Sequence, residues 1–235
     1  MIRSERPTTL AFVQVVDGVA SYTFYDENTA GRILHREDMP LALSHNVKAL
    51  FFGGISLAVE PCADAYMAFL KNNKENRLVM ADPNIRAALI PEESRYRERL
   101  GDLFAHCDII KISDEDLEWI DPSNRGRAQK ALDIVSQGAE ILCLTLGSRG
   151  VEVYDKTGRL FAALVPEVQV VDTVGAGDAF NAGLLVGLDR LGSVSRERLS
   201  SLPVAELEDA VIFATAFASE TVTRAGSNPP WNFEG

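Results

Sequence analysis

β-branched and aromatic residues crowd two short runs, residues 8–16 and 19–25, on either side of Asp17-Gly18. That dipeptide suits a two-residue hairpin loop, which needs positive φ at its centre. Beyond the hairpin, short apolar runs alternate with longer amphipathic ones. Residues 49–52 read as a strand ending at Gly53-Gly54, followed by a helix over 61–72. A strand over 78–81 runs into Asp82-Pro83-Asn84-Ile85-Arg86, and a charged helix over 92–104 leads to a strand over 108–112. Helices over 114–120 and 125–137 precede a strand over 141–146. Residues 151–154 and 160–164 form an antiparallel pair around Lys156-Thr157-Gly158, and 165–171 is a further strand-like run. Two long helices, 179–191 and 204–221, close the pattern. Apolar strands alternating with helices predict an α/β fold: a mostly parallel sheet with helices on both faces and a protruding β hairpin. The expected division is residues 1–30 for the hairpin and 31–235 for the core, within one compact domain.

Composition narrows the partners. The chain has 235 residues, 46% of them hydrophobic, and 34 acidic against 23 basic side chains leave a net charge of −11. Such an excess excludes nucleic acid and anionic membranes as expected partners. Cys62, Cys107 and Cys143 are widely spaced in apolar surroundings and read as buried hydrophobes of a reducing compartment. His35, His45 and His106 make no ligand spacing with them, so no zinc site is expected. No apolar run approaches membrane-spanning length, and the first five residues do not make a signal peptide. The expected location is the cytoplasm.

The chemistry concentrates in Asp172-Thr173-Val174-Gly175-Ala176-Gly177-Asp178, between an apolar run and a helix. Two glycines allow a tight turn that brings N–H groups close to an anion, and the helix start adds unpaired N–H groups and a positive dipole end. Asp178 sits at the rim of that anion site, placed to take a proton from a hydroxyl. A glycine turn followed by a helix-capping Asp would use the same residues. A Gly-x-x-x-x-Gly-Lys-Ser/Thr loop is absent, and Phe180 stands where the dinucleotide fingerprint needs Gly or Ala.

The full string, with Ala179-Phe180 after it, resembles the C-terminal signature of the ribokinase-like (PfkB) carbohydrate kinases. The resemblance implies that Asp178 is the catalytic base and that Gly175, Ala176 and Gly177 form an anion hole for the migrating phosphate. Thr145-Leu146-Gly147-Ser148-Arg149-Gly150 is similar to the family's T-L-G-x-x-G nucleotide segment. Arg224-Ala225-Gly226-Ser227-Asn228 is similar to its C-terminal loop near the adenine and the monovalent-cation site. Lys111-Ile112-Ser113-Asp114-Glu115-Asp116 occupies the place of its Asn-x-x-Glu element, with Ser113 for Asn and Asp116 for Glu. The implied ATP contacts are Lys111, Ser113, Thr145, Gly147, Gly150, Gly226 and Asn228. Asp116 would hold magnesium (Mg2+) through water, and Asp172 would serve a monovalent cation such as potassium (K+).

Asp82-x-Asn84-x-Arg86 resembles the D-x-N-x-R segment of fructokinases and 2-keto-3-deoxygluconate kinases, which implies substrate contacts from Asn84, Arg86, Phe24 and Asp178. Asp26 stands near the position where keto-acid kinases carry an Arg, and a negative charge there would repel a sugar acid. Fructose is therefore the expected acceptor; 2-keto-3-deoxygluconate kinase and ribokinase-type activities are the alternatives. The β-rich segment that precedes the hairpin in family members, with its substrate Asp and Gly-Gly-x-x-x-Asn element, has no counterpart upstream of Thr8. Two expectations follow: a sugar kinase whose hairpin covers the sugar and pairs with a second subunit, or a nucleotide-binding remnant without activity.

Overall fold

A computed structural model describes residues 3–16 and 19–233, and there the apolar runs sort into two sheets. β1 (Leu10–Val16) and β2 (Val19–Tyr25) pair antiparallel, with Leu10 opposite Tyr25 and Phe12 opposite Thr23. The Asp17-Gly18 turn lies outside the described residues. Below the hairpin, Asp26 ties the chain down. Its Oδ1 accepts from the Thr9 hydroxyl at 2.6 Å and the Thr29 hydroxyl at 3.0 Å, and its Oδ2 pairs with Arg32 at 3.5 Å. Asp26 is buried, and a buried carboxylate needs such partners. This corrects the expectation that Asp26 turns a negative charge toward a substrate: Arg32 neutralises it.

The large sheet has the order β3 (Ala49–Gly53), β4 (Leu78–Asp82), β5 (Ile109–Ser113), β6 (Ile141–Thr145), β7 (Val151–Asp155), β8 (Gly158–Ala163). The first four strands are parallel, and β7 and β8 run antiparallel to their neighbours. Side chains alternate between two cores, as a period of two requires. Leu50, Phe52, Val79, Ala81, Ile110, Ile112, Leu142 and Leu144 pack under α1 (Cys62–Asn73), α2 (Glu93–Phe104), α3 (Asp114–Ile120) and α4 (Arg127–Val135). Leu78, Met80, Ile109, Ile141, Cys143, Val151 and Val153 pack under α5 (Ala176–Arg190), α6 (Arg196–Ser200) and α7 (Val204–Val222). Covered on both faces, β4 and β6 read as apolar runs up to their last residue, and Lys111 alone interrupts β5 before its terminal Ser113.

α5 lies unusually close to α7. A Cβ on Gly183 would stand 2.8 Å from the Ala214 Cα, so only glycine permits this approach. The contact holds α5, and with it the Gly175–Asp178 turn, firmly over the sheet.

Three sequence expectations change. Residues 165–171 form no strand; Val168, Val170 and Val171 are exposed, and the run's tie to the core is the Val171 amide donating to the Val222 carbonyl at 2.8 Å. β propensity makes a strand only beside a partner edge, and none of the described strands pairs with this run. α5 starts at Ala176 instead of 179, because Gly175 takes a left-handed N-cap geometry at φ 84°. The short α6 was not expected; the Ser195 hydroxyl caps it by accepting from the Arg198 amide at 3.2 Å.

Candidate active site at the carboxyl ends of the strands

β4, β5 and β6 end side by side at Asp82, Ser113 and Thr145, and the N-terminus of α5 arrives at the same edge. Ala176, Gly177 and Asp178 form the first turn of α5, where amides have no intrahelical acceptor. The Ala176 amide donates to the Thr173 carbonyl at 3.2 Å. The donors left open to an anion are therefore Gly175, Gly177 and Asp178, at the positive end of the helix dipole. Ala176 shapes the turn but its amide is engaged. Asp178 is exposed and, among the described residues, accepts no hydrogen bond and makes no ion pair.

Asp172 joins two loops that lie far apart in sequence. Its Oδ1 accepts from the Val174 amide at 3.0 Å and its Oδ2 from the Gly226 amide at 2.9 Å. These amides, Val174 first and Gly226 next, hold the carboxyl below the usual carboxylate range. Gly175 then meets Ser227: a Cβ there would stand 2.5 Å from the Ser227 hydroxyl oxygen. Asn228 closes its own turn, its amide donating to the Gly226 carbonyl at 2.8 Å.

The sign of the Asp172 shift gives a testable pH dependence. A depressed folded pKa contributes stability above the unfolded value of about 3.9 that is lost as pH falls through the folded value. We expect Asp172→Asn to lower the urea midpoint at pH 7 and to lower it less at pH 3. An equal decrease at both pH values would show that charge on Asp172 is not what ties the loops.

Beneath the helix start lies a buried polar cluster. Lys111 Nζ donates to Asp82 Oδ2 at 2.9 Å, Asn181 Nδ2 donates to the same oxygen at 2.8 Å, and the Asn84 amide donates to Asp82 Oδ1 at 3.2 Å. Lys111 Nζ is 3.2 Å from the point that a Cβ on Gly177 would occupy. The ammonium thus sits directly under the anion turn. Asn181 lies outside the sequence motifs, although a polar residue one turn after Asp178 in an otherwise apolar stretch is a usable signal.

The next group flanks β5 and β6. Asp116 is buried, its Oδ2 accepting from the Ser113 amide and hydroxyl at 2.9 and 2.7 Å and its Oδ1 from the Ile85 amide at 2.8 Å. With the N-cap Ser113 it completes the capping box of α3, and it pins the 83–86 loop. The Thr145 hydroxyl donates to the Ile112 carbonyl at 3.2 Å, and the Leu146 amide to the Gly150 carbonyl at 2.8 Å, closing the turn that holds Gly147. Arg149 pairs with Asp114, fastening that turn to the start of α3. Asn84 and Arg86 lie on the 83–86 loop, where Arg86 is exposed and donates to the Asn84 and Ile85 carbonyls at 3.4 and 3.1 Å. Phe24 lies on β2, in the separate hairpin sheet, opposite Ala11.

Two large clefts, about 570 and 530 Å³, lie elsewhere. The first, between α1 and α2, is lined by charges that pair with one another, such as Lys71 with Asp102 and Arg99 with Asp64. The second includes Arg77 and Asp108, at the amino ends of β4 and β5, opposite the loops just described. Chemistry, not cavity size, marks the α5 edge: among the described residues it gathers helix amides, a buried ammonium and a carboxylate with no partner.

The mostly parallel sheet covered on both faces and the separate hairpin match the ribokinase-like α/β fold of the solved kinases that superpose on the chain. The chain belongs to the pfkB family of carbohydrate kinases, whose family model matches residues 1–233. A fructokinase of Rhizobium leguminosarum bv. trifolii is 40% identical over 199 residues, which are 84% of this chain and 60% of the relative. The crystal structure of a fructokinase double mutant from Vibrio cholerae O395, bound to fructose, ADP and potassium ion, superposes with a TM-score of 0.76 at 25% identity, covering 88% of this chain and 64% of that one. A fructokinase from Xylella fastidiosa with bound ATP gives 0.82 at 24% identity, covering 96% of this chain and 70% of that one. The chain thus spans about three fifths of the length of the Rhizobium relative.

Proposed function

We propose that the chain transfers the γ-phosphoryl group of ATP to a hydroxymethyl group of a small sugar, fructose above others. The observation that carries this reading is the unpaired Asp178 carboxylate beside open helix amides, with the Lys111 ammonium directly beneath Gly177. Phosphoryl transfer depends mainly on positioning and on stabilising charge. Asp178 takes the proton of the sugar hydroxyl as the sugar oxygen attacks the γ-phosphorus, whose bond to the bridging oxygen breaks so that ADP leaves. The Gly175 and Gly177 amides and Lys111 bear the negative charge on the migrating group. Gly147, Gly150, Gly226 and Asn228, on turns at the same edge as Ser113 and Thr145, are the proposed nucleotide contacts. Asn84 and Arg86 face the acceptor in this reading, and Phe24 comes from the hairpin. Fructose rests on the fructokinase relatives, because Asp26 supplies no discrimination.

Magnesium does not fit direct coordination by Asp116, whose carboxylate is 4% exposed and already receives three hydrogen bonds. It fits as an ion carried by the nucleotide phosphates, with Asp116 beyond its water shell, and there it would neutralise phosphate charge. Asp172 keeps lone pairs beyond its two amide bonds, which suits a monovalent cation such as potassium. Residues 1–30 act as a lid over the sugar that limits wasteful ATP hydrolysis. The lid carries exposed Leu10, Phe12 and Tyr25, and a two-stranded sheet is marginal alone, so pairing of two lids in a homodimer completes the reading. Three unpaired, buried cysteines agree with a cytoplasmic setting.

The test is a coupled assay of the purified chain with ATP and fructose, ribose, adenosine or 2-keto-3-deoxygluconate. We expect ATP-dependent phosphorylation of fructose in preference to the others. Preference for another acceptor would move the substrate and keep the reaction. ATP binding with none of them phosphorylated would favour a nucleotide-binding remnant instead.

A further inference from the structure

We propose that Asp82 and Asn181 are positioning residues whose joint hold on Lys111 keeps its ammonium under the phosphate turn at Gly177. The inference rests on the kinase reading and deepens it. A lysine stem is long and flexible, and its ammonium is strongly hydrated, so left alone it would swing toward water. Here the Lys111 side chain is only 7% exposed and the Asp82 side chain 3%. A buried ammonium of this kind persists only with a charged partner.

A bare carboxylate beside an anion site would repel the ligand it should help to bind. Asp82 avoids this by spreading its charge over several donors. Oδ2 is shared between Lys111 and Asn181, and Oδ1 takes the Asn84 amide. An ammonium has three donors, and Asp82 takes one of them. The side of Lys111 that faces Gly177 therefore keeps net positive character. Asp82 ends β4, Lys111 lies on β5 and Asn181 on α5, so the cluster also fixes the turn against both strands.

A second observation points the same way. Asn181 is 3% exposed, yet its Oδ1 has no hydrogen-bond partner among the described residues. A buried acceptor left unpaired is costly, and a purely structural residue would not be expected to carry that cost. The amide is oriented by its bond to Asp82 and not by its own acceptor.

Calorimetric titrations with ADP and with adenosine, run beside thermal melts, test the idea. The two ligands differ by the phosphates alone. The charge-free pair Lys111→Met/Asp82→Asn should melt near wild type, since the buried charges leave together. Its ADP affinity should fall about tenfold or more, with adenosine affinity unchanged. Asn181→Leu should weaken ADP by about threefold or more in the wild-type background and have no further effect in the charge-free pair, because residues acting through one another are non-additive. Unchanged ADP affinity in Asn181→Leu, an equal loss for adenosine, or an equal loss in both backgrounds overturns the proposal. If wild type binds ADP no better than adenosine, the phosphate site itself fails and the kinase reading falls with it. A wild type that discriminates, beside an Asn181→Leu that behaves identically, sinks the positioning role alone.

Discussion

Asp178→Asn is expected to lower turnover with ATP and fructose by about a thousandfold while leaving ADP affinity within about twofold of wild type. A positioned general base contributes roughly 10²–10⁴ in rate, and the amide keeps the size of the carboxylate but cannot accept the proton. Asp178 is exposed and supports no hydrogen bond among the described residues, so the exchange leaves the fold alone. The split between rate and affinity is the diagnostic part. Turnover of Asp178→Asn within tenfold of wild type would remove the base from the proposed mechanism. A parallel collapse of ADP affinity would assign Asp178 to phosphate binding instead.

Gly175→Ala should be the most damaging small substitution in the site. Gly175 sits at φ 84°, a geometry that costs an L-residue about 1–2 kcal/mol, and the added methyl would stand 2.5 Å from the Ser227 hydroxyl oxygen. To relieve the contact, the 172–178 turn must move off the 225–228 loop, and its amides lose their common aim. We expect a melting temperature lower by several degrees, ADP affinity down about tenfold and turnover down further. Gly175→Ala/Ser227→Gly removes the clashing side chain and should recover part of the ADP affinity, leaving the φ penalty. If the double variant is no better than the single one, contact with Ser227 is not what sets the turn.

How much of this could be read from the chain depends on where each signal lives. Apolar runs of strand length between amphipathic helices were legible because both faces of β4, β5 and β6 are covered, which erases the polar alternation of a one-sided sheet. The same rule misled at residues 165–171, which have strand-like composition but no partner edge. Asp26 was misjudged for a related reason. Its sequence neighbours say nothing about Arg32 and Thr9 folding back onto it, so a buried, neutralised carboxylate looked like an exposed charge. Asp116 shows a third case: an acidic helix start was legible at its position, but that the Ile85 amide donates to it from a distant loop appears only in the fold.

By itself the sequence determined the local geometry: a glycine turn before a helix, an acid at its rim, and strand ends carrying polar residues. Those follow from backbone freedom and periodicity, which act over a few residues. Only the tertiary structure decided which polar groups meet. Lys111, Asp82 and Asn181 converge because β4 and β5 are neighbours and Gly183 lets α5 settle against α7. Burial then fixes who must pair with whom, since a charge removed from water cannot stay alone.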